Sequence, residues 1–256
     1  RSHTGAIAGS HAANHALFER CGFVMVDDLE ALFEFAQFFA RAEGPQGDGV
    51  AVVSGSGGAG VMAADMAERH GVPMPQPRPQ TLALLQQVVP EFGAARNPCD
   101  PTGQVLNNPE SFKQCCAALL EDGQYGALVI PLGAALAGAG AERVVQIREL
   151  AARYRKPIAV VWLSEWLQGP GAADYEGELH ATLFRSMDRC FAAIAAWHAR
   201  ARRTIDFERP RRSASDAASR VRALLQASRD ALAERESKRV LAAYGIPVIQ
   251  DRAASR

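Results

Sequence analysis

The stretch VAVVSGSGGAGVMAAD, residues 50–65, constrains the fold of this chain more than any other. Val50, Ala51, Val52 and Val53 form an unbroken apolar run, the pattern of a short strand buried on both faces. Glycines at 55, 57, 58 and 60 follow, and then an apolar helical pattern. A strand that turns through glycine directly into a helix opens a βαβ unit, and such units build parallel sheets with helices on both faces. The turn also aims the unpaired N–H groups of the first helical turn beyond the strand end, where the helix dipole favours an anion.

The spacing Gly55-x-Gly57-x-x-Gly60 is also that of a dinucleotide fingerprint. That fingerprint needs an acidic residue about 20 positions on, to hold a ribose. Here the region reads VPMPQPRPQ, residues 72–80, with four prolines and no carboxylate. Three readings stand on the residues alone: a seat for a phosphate, a dinucleotide-binding domain without its ribose ligand, or glycines that serve only close helix–strand packing.

The same alternation continues. Helices are predicted over residues 10–22, 27–44, 57–71, 79–93, 108–123, 140–155 and 185–202. Asp27 and Asp28, and Asn108 with Pro109, are start signals. Strands are predicted over Phe23–Val26, Val50–Ser54, Gly126–Gly133 and Lys156–Ser164. GPQGDG, residues 44–49, is a turn cluster and a boundary. Residues 201–219 are rich in Arg and Ser and read as a linker, followed by a polar helix over 221–245 and by IPVIQD, residues 246–251, which reads as the opening of a strand. The fold class is α/β, with a parallel flavodoxin-like sheet and helices on both faces.

Bulk properties exclude some functions. Twenty-eight basic and 28 acidic residues balance, which gives no support for a nucleic-acid or anionic-membrane partner. No apolar run is long enough to span a bilayer. Cys21, Cys99, Cys115, Cys116 and Cys190 show no C-x-x-C spacing, which argues against a disulfide framework or zinc site and for a cytoplasmic setting. His11 and His15 stand four apart on one helix but lack an evident third ligand, so no metal site is expected. His70 precedes a helix-ending glycine, and Cys99 has no evident base. Trp162 and Trp166 flank a strand end, as core residues or as walls of a ligand pocket. His3 lies among Ser2, Thr4 and Gly5; a neutral imidazole there can accept and deliver a phosphoryl group, or be an ordinary exposed histidine.

Several motifs together resemble one family. SHTGAIAG, residues 2–9, resembles the phosphohistidine loop of the nucleoside-diphosphate-forming acyl-CoA synthetases, the superfamily of succinyl-CoA synthetase and ADP-forming acetate–CoA ligase. VDDLEALFEFA (26–36), VAVVSGSGGAGVMAAD (50–65), NPCDPTG (97–103) and ESKRVLAAYGIPV (236–248) resemble further family motifs in the family's order. Gly55 and Ser56 stand where the family often has Asn-Ala, and Ala59 where it has Pro.

The resemblance implies the reaction acid + CoA + ATP ⇌ acyl-CoA + ADP + phosphate, through acyl phosphate and phosphohistidine. It implies His3 as the phosphoryl carrier, with Ser56, Gly57, Gly58 and Ala59 binding phosphate. Asn97, Asp100, Thr102 and Gly103 would form a substrate or active-site loop. Residues 1–45 would be the back half of a ligase domain, 48–203 a second flavodoxin-like domain, 204–230 a linker and helix, and 231–256 the start of an ATP-grasp domain. The CoA-binding domain and most of the ATP-grasp domain would be missing, so residues 1–256 alone would be inactive. Residues 1–45 would then pack poorly, be swapped, or lean on a neighbouring chain. ATP/ADP, CoA and Mg2+ would serve the complete enzyme, and phosphate or sulfate would suit this chain. The implied partners are a small carboxylic acid, CoA, the remaining domains of the same polypeptide and a second copy in a homo-oligomer. The rival within the family is a regulatory, non-catalytic relative, as in bifunctional protein acetyltransferases.

Overall fold

In a computed structural model, residues 11–103, 108–133, 139–203, 216–227 and 232–249 are described. The chain forms two compact units, Arg1–Arg203 and Thr204–Arg256. The first begins with α1 (His11–Arg20) and α2 (Leu29–Arg41), then β1 (Gly49–Val52), α3 (Gly57–Arg69), α4 (Pro79–Val88) and α5 (Pro109–Glu121). It continues with β2 (Tyr125–Leu132), α6 (Ala139–Tyr154), β3 (Ile158–Trp162), α7 (Ala172–Glu176), β4 (Ala181–Phe184) and α8 (Met187–Arg202).

The four strands lie in the order β1-β2-β3-β4 and every pairing is parallel. On the far side of β1, Val53 and Cys99 form an isolated parallel bridge, so a rudimentary strand flanks β1 on its outer edge. The chain thus steps outward from β1 to Cys99 and then crosses back to β2. That reversal is a switch point, where open α/β sheets leave a crevice at the carboxyl ends of their strands.

Two apolar layers sandwich the sheet. Ala51, Leu128, Ile130, Ile158, Val160 and Trp162 face α4, α5, α6 and α7. Val50, Val52, Ala127, Val129, Ala159 and Val161 face α2, α3 and α8. Alternate residues of each strand serve opposite layers, which is the period of two that a pleated strand imposes. Since both faces are covered, the strands carry no polar alternation.

Helix starts follow local chemistry. Asp28 caps α2 by accepting from the Ala31 N–H at 2.6 Å. Asn108 caps α5 and Ser186 caps α8 in the same way, at 3.4 and 3.3 Å. Such caps satisfy orphan donors of the first turn.

Several expectations need correction. Phe23–Val26 is not a strand; Phe23 and Met25 are exposed, and the run lacks a sheet edge to pair with. The expected poor packing of residues 1–45 fails for α2, whose Ala31, Phe35 and Phe38 sit in the layer beneath β1, β3 and α8. Their spacing of four and three places all three on one helical face. Glu34 of α2 accepts from Arg189 of α8 and from the Arg185 N–H. Finally, β4 and α7 were not foreseen, and the single polar helix over 221–245 is instead two helices.

The second unit contributes α9 (Asp216–Ala227) and α10 (Glu234–Ala243), which pack against each other. Ile246–Ile249, the expected opening of a strand, is irregular. Among the described residues no helix is long and apolar enough to cross a membrane.

Candidate functional site at the amino terminus of α3

β1 delivers the chain to the carboxyl end of the sheet, and Ser54 fixes its exit. The Ser54 N–H donates to the Cys99 carbonyl at 3.0 Å, and its Oγ donates to the Pro131 carbonyl at 3.3 Å. The same Oγ accepts from the Ser56 N–H at 3.2 Å. Ser54 therefore ties together β1, β2 and the rudimentary strand, a role that no sequence motif announced. Its only signal was a small hydroxyl residue at a strand end.

Ser56 is the N-cap of α3. Its Oγ accepts from the Ala59 N–H at a long 3.5 Å, and its carbonyl accepts from the Gly60 N–H at 3.1 Å. Ala59 is buried. Of the three backbone donors that the resemblance assigned to a phosphate, the one at Ala59 is thus already engaged. Gly57 and Gly58, both exposed, are the first two helical positions, whose N–H groups have no intrahelical acceptor. Nothing lies within 4 Å of where a Gly58 side chain would begin. The other end of α3 is anchored to α8, where the His70 Nε2 and the Asp188 carboxylate meet at 2.9 Å.

The 97–103 loop borders this terminus. The Asn97 side chain is consumed by the fold: Oδ1 accepts from the Val52 N–H at 2.9 Å, and Nδ2 donates to the carbonyls of Val50 and Pro75 at 2.8 and 3.1 Å. At 2% exposure it holds the loop and does not line its mouth. Asp100 exchanges backbone hydrogen bonds with Ala94, and its Oδ1 accepts from the Thr102 N–H at 2.8 Å. Its Oδ2 lies 3.3 Å from where a Cβ on Gly57 would stand, and a Cβ on Gly60 would come within 3.2 Å of Pro98. Those close approaches explain two of the glycines. The carboxylate beside the first turn of α3 also complements the helix dipole, an effect worth about 0.3–1 kcal/mol. Thr102 has φ 64°, and Gly103 is exposed beyond it. His3 lies outside the described residues.

A hydrogen bond with Cys115, and then burial, push the Cys99 thiol up, and burial pushes up that of Cys116. Neither is an activated nucleophile. Trp162 is core, with its Nε1 donating to the Trp166 carbonyl at 3.2 Å, whereas Trp166 is exposed. Among the described residues no group of three or more His, Cys, Asp or Glu side chains could hold a metal ion.

Residues 1–39 match the family described as the succinyl-CoA ligase like flavodoxin domain, and residues 50–175 match the Ligase-CoA domain. The chain belongs to the ADP-forming acyl-CoA synthetase superfamily. The alpha subunit of acetate–CoA ligase [ADP-forming] I from Pyrococcus furiosus is 28% identical over 196 residues, which are 76% of this chain and 42% of that subunit. Acetate–CoA ligase [ADP-forming] I from Archaeoglobus fulgidus is 34% identical over 47% of this chain and 17% of its own length. A trans-feruloyl-CoA synthase from an unknown prokaryotic organism is 32% identical over 50% of this chain and 18% of its own. The chain therefore spans less than half the length of these members of the superfamily.

Solved structures share the fold. The dinucleotide forming acetyl-coenzyme A synthetase 1 of Ca. Korarchaeum cryptofilum superposes with a TM-score of 0.62 at 21% identity, over 78% of this chain and 43% of that one. The same enzyme in complex with phosphate and ADP gives a TM-score of 0.63 at 22% identity, with equal coverage.

Proposed function

We propose that this chain is the phosphoryl-handling part of an acid–CoA ligase that forms ADP, with the amino terminus of α3 as one seat of the transferred phosphoryl group. One observation carries the reading: at the carboxyl end of β1, the N–H groups of Gly57 and Gly58 stand open at the positive end of a helix 13 residues long. They would donate to phosphoryl oxygens carried in on the His3 imidazole. Donors fixed in advance need no reorganisation as charge shifts between acyl phosphate and phosphoramidate. Ser56 holds the third donor and so sets the geometry of the first two. Asp100, beside Gly57, would face the imidazole and hold its ring in orientation while its other oxygen stays bound to the Thr102 N–H. ATP, CoA and Mg2+ supply the nucleotide, thiol and metal chemistry of the complete reaction, and no described residue is assigned to them. The carboxylic acid belongs to the small organic acids, a class that includes those named for the relatives.

The experiment is phosphoryl labelling of the complete protein with γ-labelled ATP. Acid-labile, base-stable label at His3 is the expected result, and its absence while CoA still binds would favour the regulatory relative. Gly58→Asp places a carboxylate in open space at a helix start, where it suits the fold. Its carboxylate would occupy the seat and repel the phosphoryl group, and should lower acyl-CoA formation by about 10²-fold or more, comparable to losing one preorganised donor, with Tm unchanged or raised. Activity equal to wild type in that variant would remove α3 from the mechanism.

A further inference from the structure

At the opposite edge of the sheet, where β3 and β4 begin, a cavity of about 430 Å³ opens between the end of α2, the end of α6 and the residues leading into β4. Arg41, Arg155, Lys156 and His180 line it, and Glu43 is the single carboxylate among the lining residues. Pro157 and the exposed Leu179 add apolar lining.

Arg41, Arg155 and His180 arrive from separate elements and keep donors in reserve, whereas the Lys156 ammonium is buried. Arg41 gives one nitrogen to the Ala181 carbonyl at 2.7 Å and to Gln37 at 3.3 Å. Among the described residues it forms no ion pair; burial draws its pKa down, opposed by the nearby Glu178 carboxylate. Arg155 pairs with Glu43 through one nitrogen of its five-donor fork. His180 meets the buried Glu178 through Nδ1 at 2.7 Å, which leaves Nε2. Lys156 is held by the carbonyls of Leu120 and Asp122 at 2.6 and 3.2 Å.

Arg155 is out of place by the rules of folding alone. It follows the last turn of α6, its N–H donates to the Ala151 carbonyl at 3.0 Å, and its φ is 53°. Glycine is the usual occupant of that left-handed position, because a side chain there is strained. A long cationic residue kept at such a site, at the rim of a cationic cavity, marks a local conflict of the kind that function explains.

We propose that this basin binds a small phosphate-bearing anion. Arg41, Arg155 and His180 approach from three elements. A planar carboxylate is satisfied by a single fork, whereas phosphoryl oxygens point in several directions and accept from several donors at once. The site lies at the amino ends of the strands, across the sheet from α3, and does not depend on the ligase reading.

Equilibrium dialysis of the full chain against radiolabelled inorganic pyrophosphate at low ionic strength tests this. The Gly58→Asp chain, whose α3 seat is blocked, should bind near one equivalent at submillimolar concentration. In that background Arg155→Gly should weaken binding at least about tenfold, a change of about 1.4 kcal/mol, without lowering Tm, since glycine suits that backbone. Arg41→Gln should weaken it comparably. Absence of saturable binding in Gly58→Asp, or equal affinity on adding Arg155→Gly, would each overturn the proposal.

Discussion

α1 and α2 are neighbours in sequence and fall within the same family match, yet they meet opposite fates. α2 buries Ala31, Phe35 and Phe38, and Phe38 packs edge-on to Trp197 at 5.9 Å. α1 buries nothing among its ten residues, and its Leu17 and Phe18 are exposed. Both carry apolar residues, but α2 is the richer in them, with four phenylalanines to the one of α1. What separates them further is that α2 has Ala31, Phe35 and Phe38 on one buried face and a carboxylate that accepts from Arg189 of α8 and from the Arg185 N–H just before it. The family boundary at residue 39 therefore falls inside a helix that packs with the residues beyond it, and likeness in sequence and continuity of packing are divided at different places.

The largest test of this contrast is Phe38→Ala, which should cost about 3–5 kcal/mol as a buried aromatic truncation, read by urea unfolding of the first unit. Glu34→Ala comes next. It strips Arg189 of its partner and orphans the Arg185 N–H, and should cost about 2–3 kcal/mol. Double-mutant cycles with Arg189→Ala would show coupling if the pair acts as one. A smaller effect concerns His198, buried and stacked on Trp197 at 5.0 Å. Burial lowers its pKa, helped by Arg202 and opposed by Asp48. A lowered folded pKa means that the unfolded chain takes up the proton first. Stability should therefore be intact above the ordinary histidine pKa near 6.5 and decline as pH falls below it, and His198→Gln should flatten that decline. The smallest change is Phe18→Ser on α1, expected within about 0.5 kcal/mol of wild type. A loss as large as that of Phe38→Ala would erase the distinction between the two helices.

What was legible in the sequence was local. The strand, glycine turn and helix of residues 50–69 follow from patterning, and so do the caps at Asp28 and Asn108. The strand β4 was not legible because Ala181–Phe184 is only four residues long, with no clear punctuation and no alternation, and it is a strand because β3 offers an edge. Phe23–Val26 looked equally strand-like and found no such edge. At the site, the helix start at Gly57 was legible in the glycine turn, whereas the engagement of the Ala59 N–H by Ser56 depends on a rotamer. The consumption of Asn97 by Val50, Val52 and Pro75 is a tertiary fact that no motif encodes. The cationic basin was invisible for the same reason, since its members are scattered from residue 41 to residue 180.

Asn97 and Cys99 have a further effect on the sheet as a whole. Their hydrogen bonds occupy the outer rim of β1, while Arg41 takes the Ala181 carbonyl at the start of β4. A strand offered by another molecule would find the β1 side already taken, and on the β4 side a guanidinium at its first residue. Growth by edge-to-edge strand addition is thereby discouraged.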